Sequence, residues 1–235
     1  MSTDEYKRQA AEAAVALVQP GMRLGLGHGS TVRFALEALA AQLQASALSD
    51  IITVPASLQT QAECERLGIP LGNLNDYTQL DLTIDGADEV DGHYNLIKGG
   101  GGALLREKIL AQNSQRLAII VDEGKLSERV GSRFRLPLEV LPFGWERQAG
   151  FVVALGGVAS LRVTAGGEPA LSDQGNYLLD CDFGSITDPV ALATALEARS
   201  GVLEHGLFLG LATDVFVAGA GGVRHLRADA FTSPS

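Results

Sequence analysis

Short apolar segments alternate with helical patterns through roughly the first 125 residues of the chain. The segment MRLGL predicts a strand, and VRFALEALAAQL after it repeats apolar residues at helical spacing. The same order recurs in IITV and SLQTQAECERLG, which ends at Gly68, a residue typical of helix C-termini. LDLTID, YNLIK and RLAIIVD predict further strands, with the helix LLREKILAQ between the last two. This alternation favours an α/β fold in which helices cover both faces of an open, mainly parallel sheet.

The order of the predicted elements changes near residue 130. Strands are predicted in RLPLEV, SLRVT, NYLLDCD and VLEHG, and helices in WERQAGFVVAL and DPVALATALEARSG. The second of these helices has Asp188 at its N-cap, Pro189 at its first position and Gly201 beyond its end. The order βαββαβ predicts a second, smaller ferredoxin-like α+β domain, unless these elements extend the first sheet. TDVFVAGAGGVRHL then predicts a hairpin, and the tail TSPS is expected to be frayed.

The composition restricts the partners of the chain. Its net charge is -10, which disfavours binding to nucleic acid or to an anionic membrane. A hydrophobic content of 46% is enough for a core, and no run reaches the roughly 18 apolar residues of a membrane span. The charged segment STDEYKRQAAEAAVALV predicts an amphipathic helix and not a signal peptide. Because the two cysteines, Cys64 and Cys181, form no CxxC motif, we expect a cytoplasmic protein with reduced, buried thiols.

The loop GLGHGST, residues 25–31, follows the first predicted strand. Its glycines allow a close approach of the backbone to a ligand, and the helix after it offers N–H groups and a positive dipole. Ser30 and Thr31 add hydroxyl groups, so the loop predicts a cradle for an anion such as phosphate. It lacks both the lysine of a Walker loop and the glycine spacing of GxGxxG. The alternative is a tight turn that caps a helix.

The segment TIDGADEVDG, residues 83–92, carries several carboxylates directly after an apolar strand. Asp85 and Asp88 flank a Gly-Ala pair, and two carboxylates on one turn can bind sugar hydroxyls, hold a metal, or act as acid and base. Their spacing differs from the alternating oxygen ligands of a calcium loop. Glu89 and Asp91 are expected to be solvated turn residues.

The segment LIKGGGGALLREKIL places Lys98 at the end of a strand and four glycines, residues 99–102, before a helix. That helix puts Glu107 among apolar neighbours. A carboxylate there is costly unless it is paired, and its desolvation suits a general base. A surface glutamate paired with a nearby cation is the alternative. Lys125 in VDEGKL follows the strand RLAIIVD and is a candidate second cation. Lys7 could also reach the site from the N-terminal helix, but it is expected to be solvated.

These segments together supply a phosphate cradle, cations, hydroxyl-binding carboxylates and a buried base. No metal site is predicted, because the four histidines have no ligand spacing, and no GxSxG motif is present. A cofactor-free proton transfer on a small phosphorylated polyol fits this set of groups. Aldose–ketose isomerisation needs only a base that moves a proton between adjacent carbons and donors that stabilise an enediolate.

The segments GLGHGST, TIDGADEVDG, LIKGGGGALLREKI and VDEGKL resemble, in order and spacing, the motifs of the type A ribose-5-phosphate isomerase family. The resemblance extends over nearly the whole chain, including LPLEVLPFGW and GNYLLDCDF. It implies interconversion of D-ribose 5-phosphate and D-ribulose 5-phosphate in the non-oxidative pentose phosphate pathway, without metal or cofactor. It also implies a Rossmann-like catalytic domain (residues 1–130 and 206–235), a small α+β domain (residues 131–205), and a homodimer or homotetramer.

The resemblance further implies roles for individual side chains. Glu107 would be the base that moves the proton between C1 and C2, and Lys98 would support the developing oxyanion. Asp85 would assist ring opening and bind hydroxyls, with Asp88 beside it, while the hydroxyls of the cradle would hold phosphate. The implied substrate-binding residues are His28, Gly29, Ser30, Thr31, Asp85, Gly86, Ala87, Asp88, Lys98, Gly99, Gly100, Gly101 and Lys125.

His28 departs from the family pattern, which usually has threonine at this position. Imidazole is larger and titrates near neutrality, so we expect substrate affinity to depend on pH here.

Two other functions fit a similar fold. One is sugar-phosphate deamination or coenzyme A transfer, against which the pairing of TIDGADEVDG with KGGGG argues. The other is a catalytically silent sugar-phosphate sensor. Such a sensor would need no base such as Glu107. Sensors of this kind usually carry a DNA-binding module, for which no segment is expected here.

Overall fold

The computed structural model describes residues 2–228, which form two compact units. Within these residues, the first unit comprises 2–86, 106–125 and 210–228, and the second comprises 87–105 and 126–209. The domain limits given above stay a prediction; the structure groups residues 87–105 with the second unit. The tail TSPS lies outside the described residues. No helix in the described part is long and apolar enough to cross a membrane.

Six α-helices and thirteen strands are formed by residues 2–228. The helices, in chain order, are α1 (Thr3–Val15), α2 (Ser30–Gln44), α3 (Leu58–Leu67), α4 (Leu104–Gln112), α5 (Trp145–Ala154) and α6 (Pro189–Glu197). The strands, in chain order, are β1 (Arg23–Leu26), β2 (Ile52–Pro55), β3 (Leu82–Gly86), β4 (Glu89–Val90), β5 (Leu96–Ile97), β6 (Leu117–Asp122), β7 (Leu136–Val140), β8 (Val158–Leu161), β9 (Tyr177–Asp182), β10 (Val202–His205), β11 (Leu207–Phe208), β12 (Asp214–Gly219) and β13 (Gly222–Arg227). Short 3-10 helices occur at Leu74–Asp76 and Glu123–Lys125.

The first unit is built on a six-stranded sheet in the order β13-β12-β6-β3-β1-β2. Its strands run parallel except β13, which forms the predicted antiparallel hairpin with β12. Helices α1 and α2 pack on one face, where Ala10 and Leu39 cluster with Leu26, Ile84 and Ile120. The mainly parallel sheet is therefore confirmed. From β1 the chain moves outward to β2, then returns to β3 on the other side of β1, so the strand order reverses between β1 and β3.

The second unit contains a four-stranded antiparallel sheet in the order β10-β7-β9-β8. Helices α5 and α6 join the sheet in one apolar cluster, to which Val152, Leu196 and Leu138 contribute. The Asp188 carboxylate caps α6 by accepting a hydrogen bond from the N–H of Ala191 at 2.9 Å. The order βαββαβ and this strand arrangement confirm the predicted ferredoxin-like unit.

The apolar pattern of YNLIK indicated a strand of the parallel sheet, and this prediction is wrong. Only its Leu96–Ile97 part is a strand, β5, which pairs antiparallel with β4 and β11 in a separate three-stranded sheet. The cause is a tight turn organised by Asp91. Its Oδ1 accepts hydrogen bonds from the N–H groups of His93 and Asn95, both at 2.9 Å, so the chain doubles back immediately after β4.

The expectation that Glu89 and Asp91 are solvated is wrong, because both side chains are buried. Glu89 is fully covered, and its carboxylate accepts hydrogen bonds from the N–H of Gly131 at 2.9 Å and of Phe134 at 3.1 Å. The hydroxyl of Ser132 donates a further bond at 2.9 Å. A buried carboxylate that accepts these hydrogen bonds fixes the loop between the 3-10 helix Glu123–Lys125 and β7.

Both cysteines are buried, as predicted. Cys64 in α3 and Cys181 in β9 have no exposed surface. Burial raises the pKa of the Cys64 thiol to about 11 and that of Cys181 to about 12. Thiols with such a pKa stay protonated at neutral pH and are poor nucleophiles.

Asp214 at the start of β12 is expected to make the stability of the first unit depend on acid pH. Burial of its carboxylate opposes ionisation, but hydrogen bonds from Arg116, Thr213 and His225 outweigh that effect and lower its pKa to about 2. Arg116 binds it with Nη2–Oδ1 and Nε–Oδ2 distances of 2.8 and 3.1 Å. Because the pKa is lowered in the folded state, the stabilisation is present above the unfolded pKa near 4 and is lost as the pH falls through about 2.

The Asp214→Asn variant should therefore lose on the order of 1–2 kcal/mol of unfolding free energy at pH 7, measured by urea denaturation. At pH 3 the difference in unfolding free energy between the variant and the parent should be about half of its value at pH 7. The exposed Asp50, changed to asparagine, is the matched control and should show no such trend. A difference for Asp214→Asn that is the same at pH 7, 5 and 3 would contradict this account.

Candidate active site

Several predicted site residues meet at one edge of the parallel sheet in the first unit. The carboxyl ends of β1, β3 and β6 share this edge, since Leu26 is in register with Ile84, and Gly86 with Ile120. In open α/β sheets ligands bind at this edge, where the strand order reverses. The residues placed there are His28, Gly29, Ser30 and Thr31 after β1, Asp85 and Gly86 at the end of β3, and Lys125 after β6.

The Asp85 side chain is only 1% exposed and is held directly against the loop that follows β1. Its Oδ1 accepts hydrogen bonds from the N–H of His28 at 3.2 Å and of Gly86 at 2.7 Å. Gly27 allows this approach, because a Cβ at that position would overlap the Asp85 carboxylate. The N–H of Gly27 also bonds to the carbonyl of Ile84 at 3.0 Å. The carboxylate is thus fixed by backbone N–H groups of the loop after β1 and of the end of β3.

The N-terminus of α2 has the features of an anion site. The helix begins at Ser30, and no side chain caps it, so N–H groups of its first turn lack the usual capping acceptor. Gly29 precedes it with φ of +114°, a conformation that favours glycine. The Lys7 ammonium donates a hydrogen bond to Ser30 Oγ at 3.0 Å. A lysine, a hydroxyl and a positive helix end are therefore together, which is the combination that binds phosphate.

The expectation that Lys7 is solvated is wrong. Its side chain is only 17% exposed, and α1 directs it toward the start of α2. The sequence contained a signal for this position. Lys7 lies three and four residues before the buried Ala10 and Ala11, so it shares the packed face of α1.

A second group of predicted residues lies in the second unit, around the glycine-rich turn. Oδ2 of Asp88 accepts a hydrogen bond from the N–H of Gly100 at 2.7 Å. A Cβ on Gly100 would lie 2.7 Å from Oδ1 of the same carboxylate, so this glycine is needed for the contact. Gly99 has φ of +102°, which also favours glycine. Ala87 precedes Asp88, and Gly101 completes the exposed part of the turn.

Lys98, at the start of this turn, is only 2% exposed, which is unusual for a lysine. Its Nζ lies 5.4 Å from the centre of the Phe208 ring, a cation–π distance. Its backbone N–H donates to the carbonyl of Gly206 at 2.9 Å. The ammonium group is therefore buried beside the Phe208 ring and is not a surface cation.

Arg162 supports the glycine turn and was not identified from the sequence. Its Nη1 donates hydrogen bonds to the carbonyl oxygens of Gly99 at 3.0 Å and Gly100 at 3.1 Å. Its Nε donates to Asp180 at 3.0 Å, which fixes the guanidinium plane. No local pattern marked this arginine, because it lies more than sixty residues from the glycines along the chain.

Glu107 is the fourth residue of α4 and is only 3% exposed. Leu110 and Ala111 of the same helix are also buried, as the apolar pattern had indicated. The prediction of a shielded carboxylate at this position is therefore confirmed. A carboxylate that water reaches poorly is a suitable acceptor for a proton bound to carbon.

Within residues 2–228, no group of three or more His, Cys, Asp or Glu side chains is arranged to hold a metal ion.

Comparison with known proteins identifies the family. Residues 52–222 match the family described as Ribose 5-phosphate isomerase A (phosphoriboisomerase A). The chain belongs to the ribose 5-phosphate isomerase A family. It is 55% identical over 225 residues to the ribose-5-phosphate isomerase A of Chloroflexus aurantiacus, and the match covers 96% of this chain and 94% of that relative.

Solved structures of ribose 5-phosphate isomerases have the same fold as this chain. The enzyme of Plasmodium falciparum has a TM-score of 0.93 and 36% identity, over 96% of this chain and 99% of that one. A D-ribose-5-phosphate isomerase in complex with phospho-erythronic acid has a TM-score of 0.95 and 34% identity, over 97% of this chain and 100% of that one.

Proposed function

We propose that this chain interconverts D-ribose 5-phosphate and D-ribulose 5-phosphate by proton transfer through an enediolate, in the non-oxidative pentose phosphate pathway. Membership of the ribose 5-phosphate isomerase A family, with a match along nearly the whole chain, is the observation that carries this proposal. The related structure that contains phospho-erythronic acid supports a sugar phosphate as the ligand class. We expect the chain to act in the cytoplasm as a homodimer or homotetramer.

Glu107 is the proposed base. It takes the proton from C2 of the open-chain aldose and returns a proton to C1. The proton of the C2 hydroxyl passes to the C1 oxygen, so the aldehyde becomes an alcohol and C2 becomes the ketone. Burial supports this role, because a carboxylate with little water around it loses less solvation when it accepts a proton. The reaction written in this way balances without an electron acceptor, and no cofactor is proposed.

The negative charge that develops on the oxygens at C1 and C2 needs a fixed donor. Lys98 is proposed for this role, because its ammonium group is buried and held in place. Asp85 and Asp88 are proposed to bind substrate hydroxyls, and Asp85 to assist ring opening. Both carboxylates are fixed by backbone N–H groups, which leaves little freedom to reorient during the reaction.

The phosphate of the substrate is proposed to bind at the start of α2. Ser30 and Thr31 supply hydroxyls there, the helix N-terminus supplies N–H groups, and Lys7 supplies charge. Lys125 after β6 is the proposed second cation. The remaining proposed contacts come from His28 and from the backbone or small side chains of Gly29, Gly86, Ala87, Gly99, Gly100 and Gly101.

The function is tested by conversion of ribose 5-phosphate to ribulose 5-phosphate in the presence of a chelator. We expect turnover that the chelator does not reduce. A panel of other sugar phosphates and of amino sugar phosphates, run in parallel, separates isomerisation from deamination. A parent protein that is folded but does not convert ribose 5-phosphate would contradict the proposed function.

Replacing Lys7 with methionine is expected to raise KM for ribose 5-phosphate by roughly 10-fold to 100-fold, because a hydrogen bond to a charged group contributes about 1.5–3 kcal/mol. The effect on kcat should be smaller, since phosphate binds equally in the substrate and the transition state. The matched control is Arg8→Met, which removes the same charge from the next residue of α1, where the arginine pairs with Glu37. Equal KM values for the Lys7→Met variant and the parent would exclude Lys7 from the phosphate site.

A further inference from the structure

The His28 ring is part of a hydrogen-bond chain that runs to the N-terminus of α3. Its Nδ1 lies 2.9 Å from the hydroxyl of Ser57. That hydroxyl lies 2.9 Å from the hydroxyl of Thr60, which in turn lies 2.8 Å from the carbonyl oxygen of Gly27. Both hydroxyls are buried. The chain therefore begins at the imidazole and ends on the residue before it in the same loop.

A proton count along this chain fixes the state of the imidazole. The Gly27 carbonyl carries no proton, so the hydroxyl of Thr60 must donate to it. The hydroxyl of Ser57 must then give its only proton to Thr60 Oγ1. These three contacts need three protons, and the two hydroxyls supply only two, while the N–H of Thr60 donates separately to Ser57 Oγ at 3.0 Å. The third proton must lie on Nδ1 of His28, which donates to Ser57 Oγ.

The position of this proton determines where the ring can change its charge. With Nδ1 protonated, the neutral ring has its lone pair on Nε2. A second proton is therefore taken up on Nε2, the nitrogen that does not contact Ser57. The neutral ring can offer Nε2 only as a hydrogen-bond acceptor, whereas the charged ring offers an N–H donor and a positive charge.

The cavity beside His28 is shared with the proposed phosphate cradle. It has a volume of about 840 Å³, and Gly29 and Ser30 line it together with His28. The charged residues that face this cavity from the surrounding helices are Asp4 on α1, Arg33 on α2, and Glu63 and Arg66 on α3. Two further charged groups lie at the loop: Asp85, which accepts from the His28 backbone, and Lys7, which donates to Ser30.

Opposite charges are paired on the helices around this cavity. Arg66 donates to Glu63 at 2.9 Å, and Arg33 lies 3.9 Å from Glu37, so opposite charges are paired on α3 and α2. Carboxylates, guanidinium groups and lysines of this kind do not change charge between pH 5 and 8, whereas a histidine does. Among the residues that line the cavity, His28 is the histidine, the side-chain type whose ordinary pKa lies between pH 5 and 8.

We infer that His28 is a specificity-determining residue that adjusts the affinity of the α2 site for phosphate groups according to pH. Its neutral, Nδ1-protonated ring places an acceptor at this site and does not favour an anion. Its protonated ring adds an N–H and a positive charge beside the helix N-terminus, and affinity for a phosphate group rises. This role rests on the proposed function only for the identity of the natural ligand, a sugar phosphate.

The tautomer is tested by two-bond proton–nitrogen NMR correlations of the histidine rings at pH 8. His28→Gln identifies the His28 signals among the four histidines by their loss. We expect the parent to show the Nδ1-protonated pattern for His28. Ser57→Ala removes the acceptor and should shift His28 toward the Nε2-protonated form. An Nε2-protonated His28 in the parent would overturn the proton count and the inference with it.

The pH dependence is tested by binding of inorganic phosphate, which needs no catalysis. Phosphate changes its own charge in this range, so the measured quantity is the ratio of Kd values for His28→Gln and the parent. We expect this ratio to rise about tenfold from pH 8 to pH 5.5, because a hydrogen bond to a charged group is added only in the parent. A ratio that is the same at both pH values would overturn the inference.

These results are independent of turnover. A protein with the expected tautomer and phosphate binding but no conversion of ribose 5-phosphate would contradict the proposed function and leave the role of His28 intact. A protein that converts ribose 5-phosphate but shows a constant Kd ratio would contradict the role of His28 alone.

Discussion

Replacing Glu107 with glutamine is expected to lower kcat for ribose 5-phosphate by about 10²–10⁴-fold, the usual contribution of a general base. Glutamine has nearly the same shape as glutamate but cannot accept a proton from carbon. Because the side chain is only 3% exposed, water cannot easily replace it as the base. KM should change little, since the substrate makes the same contacts elsewhere, and steady-state kinetics separate the two effects.

The matched control for this variant is Glu146→Gln, which makes the same change in the first turn of α5 at an exposed position. Its kinetics should equal those of the parent. Thermal unfolding of both variants shows whether the fold is kept. A folded Glu107→Gln variant with the parent kcat would remove Glu107 from the role of base.

Replacing Gly27 with alanine is expected to abolish most of the activity, with a loss comparable to that of the Glu107 variant. The added methyl group would overlap the Asp85 carboxylate, so either that carboxylate or the loop between β1 and α2 must move. Such overpacking typically costs about 1–3 kcal/mol of stability. Movement of either group would also disturb the contact between the His28 N–H and Asp85, and with it the position of the proposed phosphate cradle.

Gly150→Ala in the middle of α5 is the matched control for this substitution. A Cβ there has nothing within 4 Å, and alanine favours a helix, so stability should not fall and activity should be unchanged. Kinetics and thermal unfolding of both variants are compared. A Gly27→Ala variant that keeps the parent kcat and KM would contradict the claim that this close approach positions Asp85.

Much of the fold could be predicted from local patterns. The alternation of strand and helix up to residue 125 indicated the parallel sheet, and the order βαββαβ indicated the second unit, because both patterns reflect which face of each element is buried. The signals at the ends of α6 were also local: Asp188 caps the helix that Pro189 begins. The prediction for YNLIK was wrong, because a strand of two residues does not indicate which sheet it joins.

The site could be predicted where its residues are adjacent in the sequence. Glycines next to Ser30 and Thr31, and carboxylates at and just after the end of β3, indicate a ligand site through local chemistry alone. Three contributions depended on distant contacts instead. Glu89 is satisfied by N–H groups more than forty residues away, Lys7 reaches Ser30 from another helix, and Arg162 binds carbonyls of the glycine turn. No local sequence pattern indicates that these residues are in contact.

The central claim is that Glu107 moves a proton between two carbons of the substrate. It is tested most directly by turnover of ribose 5-phosphate in D₂O, followed by proton NMR of the product. The protonated Glu107 can exchange its proton with solvent before the proton is returned, so we expect deuterium at C1 of ribulose 5-phosphate with the parent. With Glu107→Gln we expect both the formation of ribulose 5-phosphate and the incorporation of deuterium to be far slower. Conversion or exchange at the parent rate in the folded Glu107→Gln variant would contradict the claim.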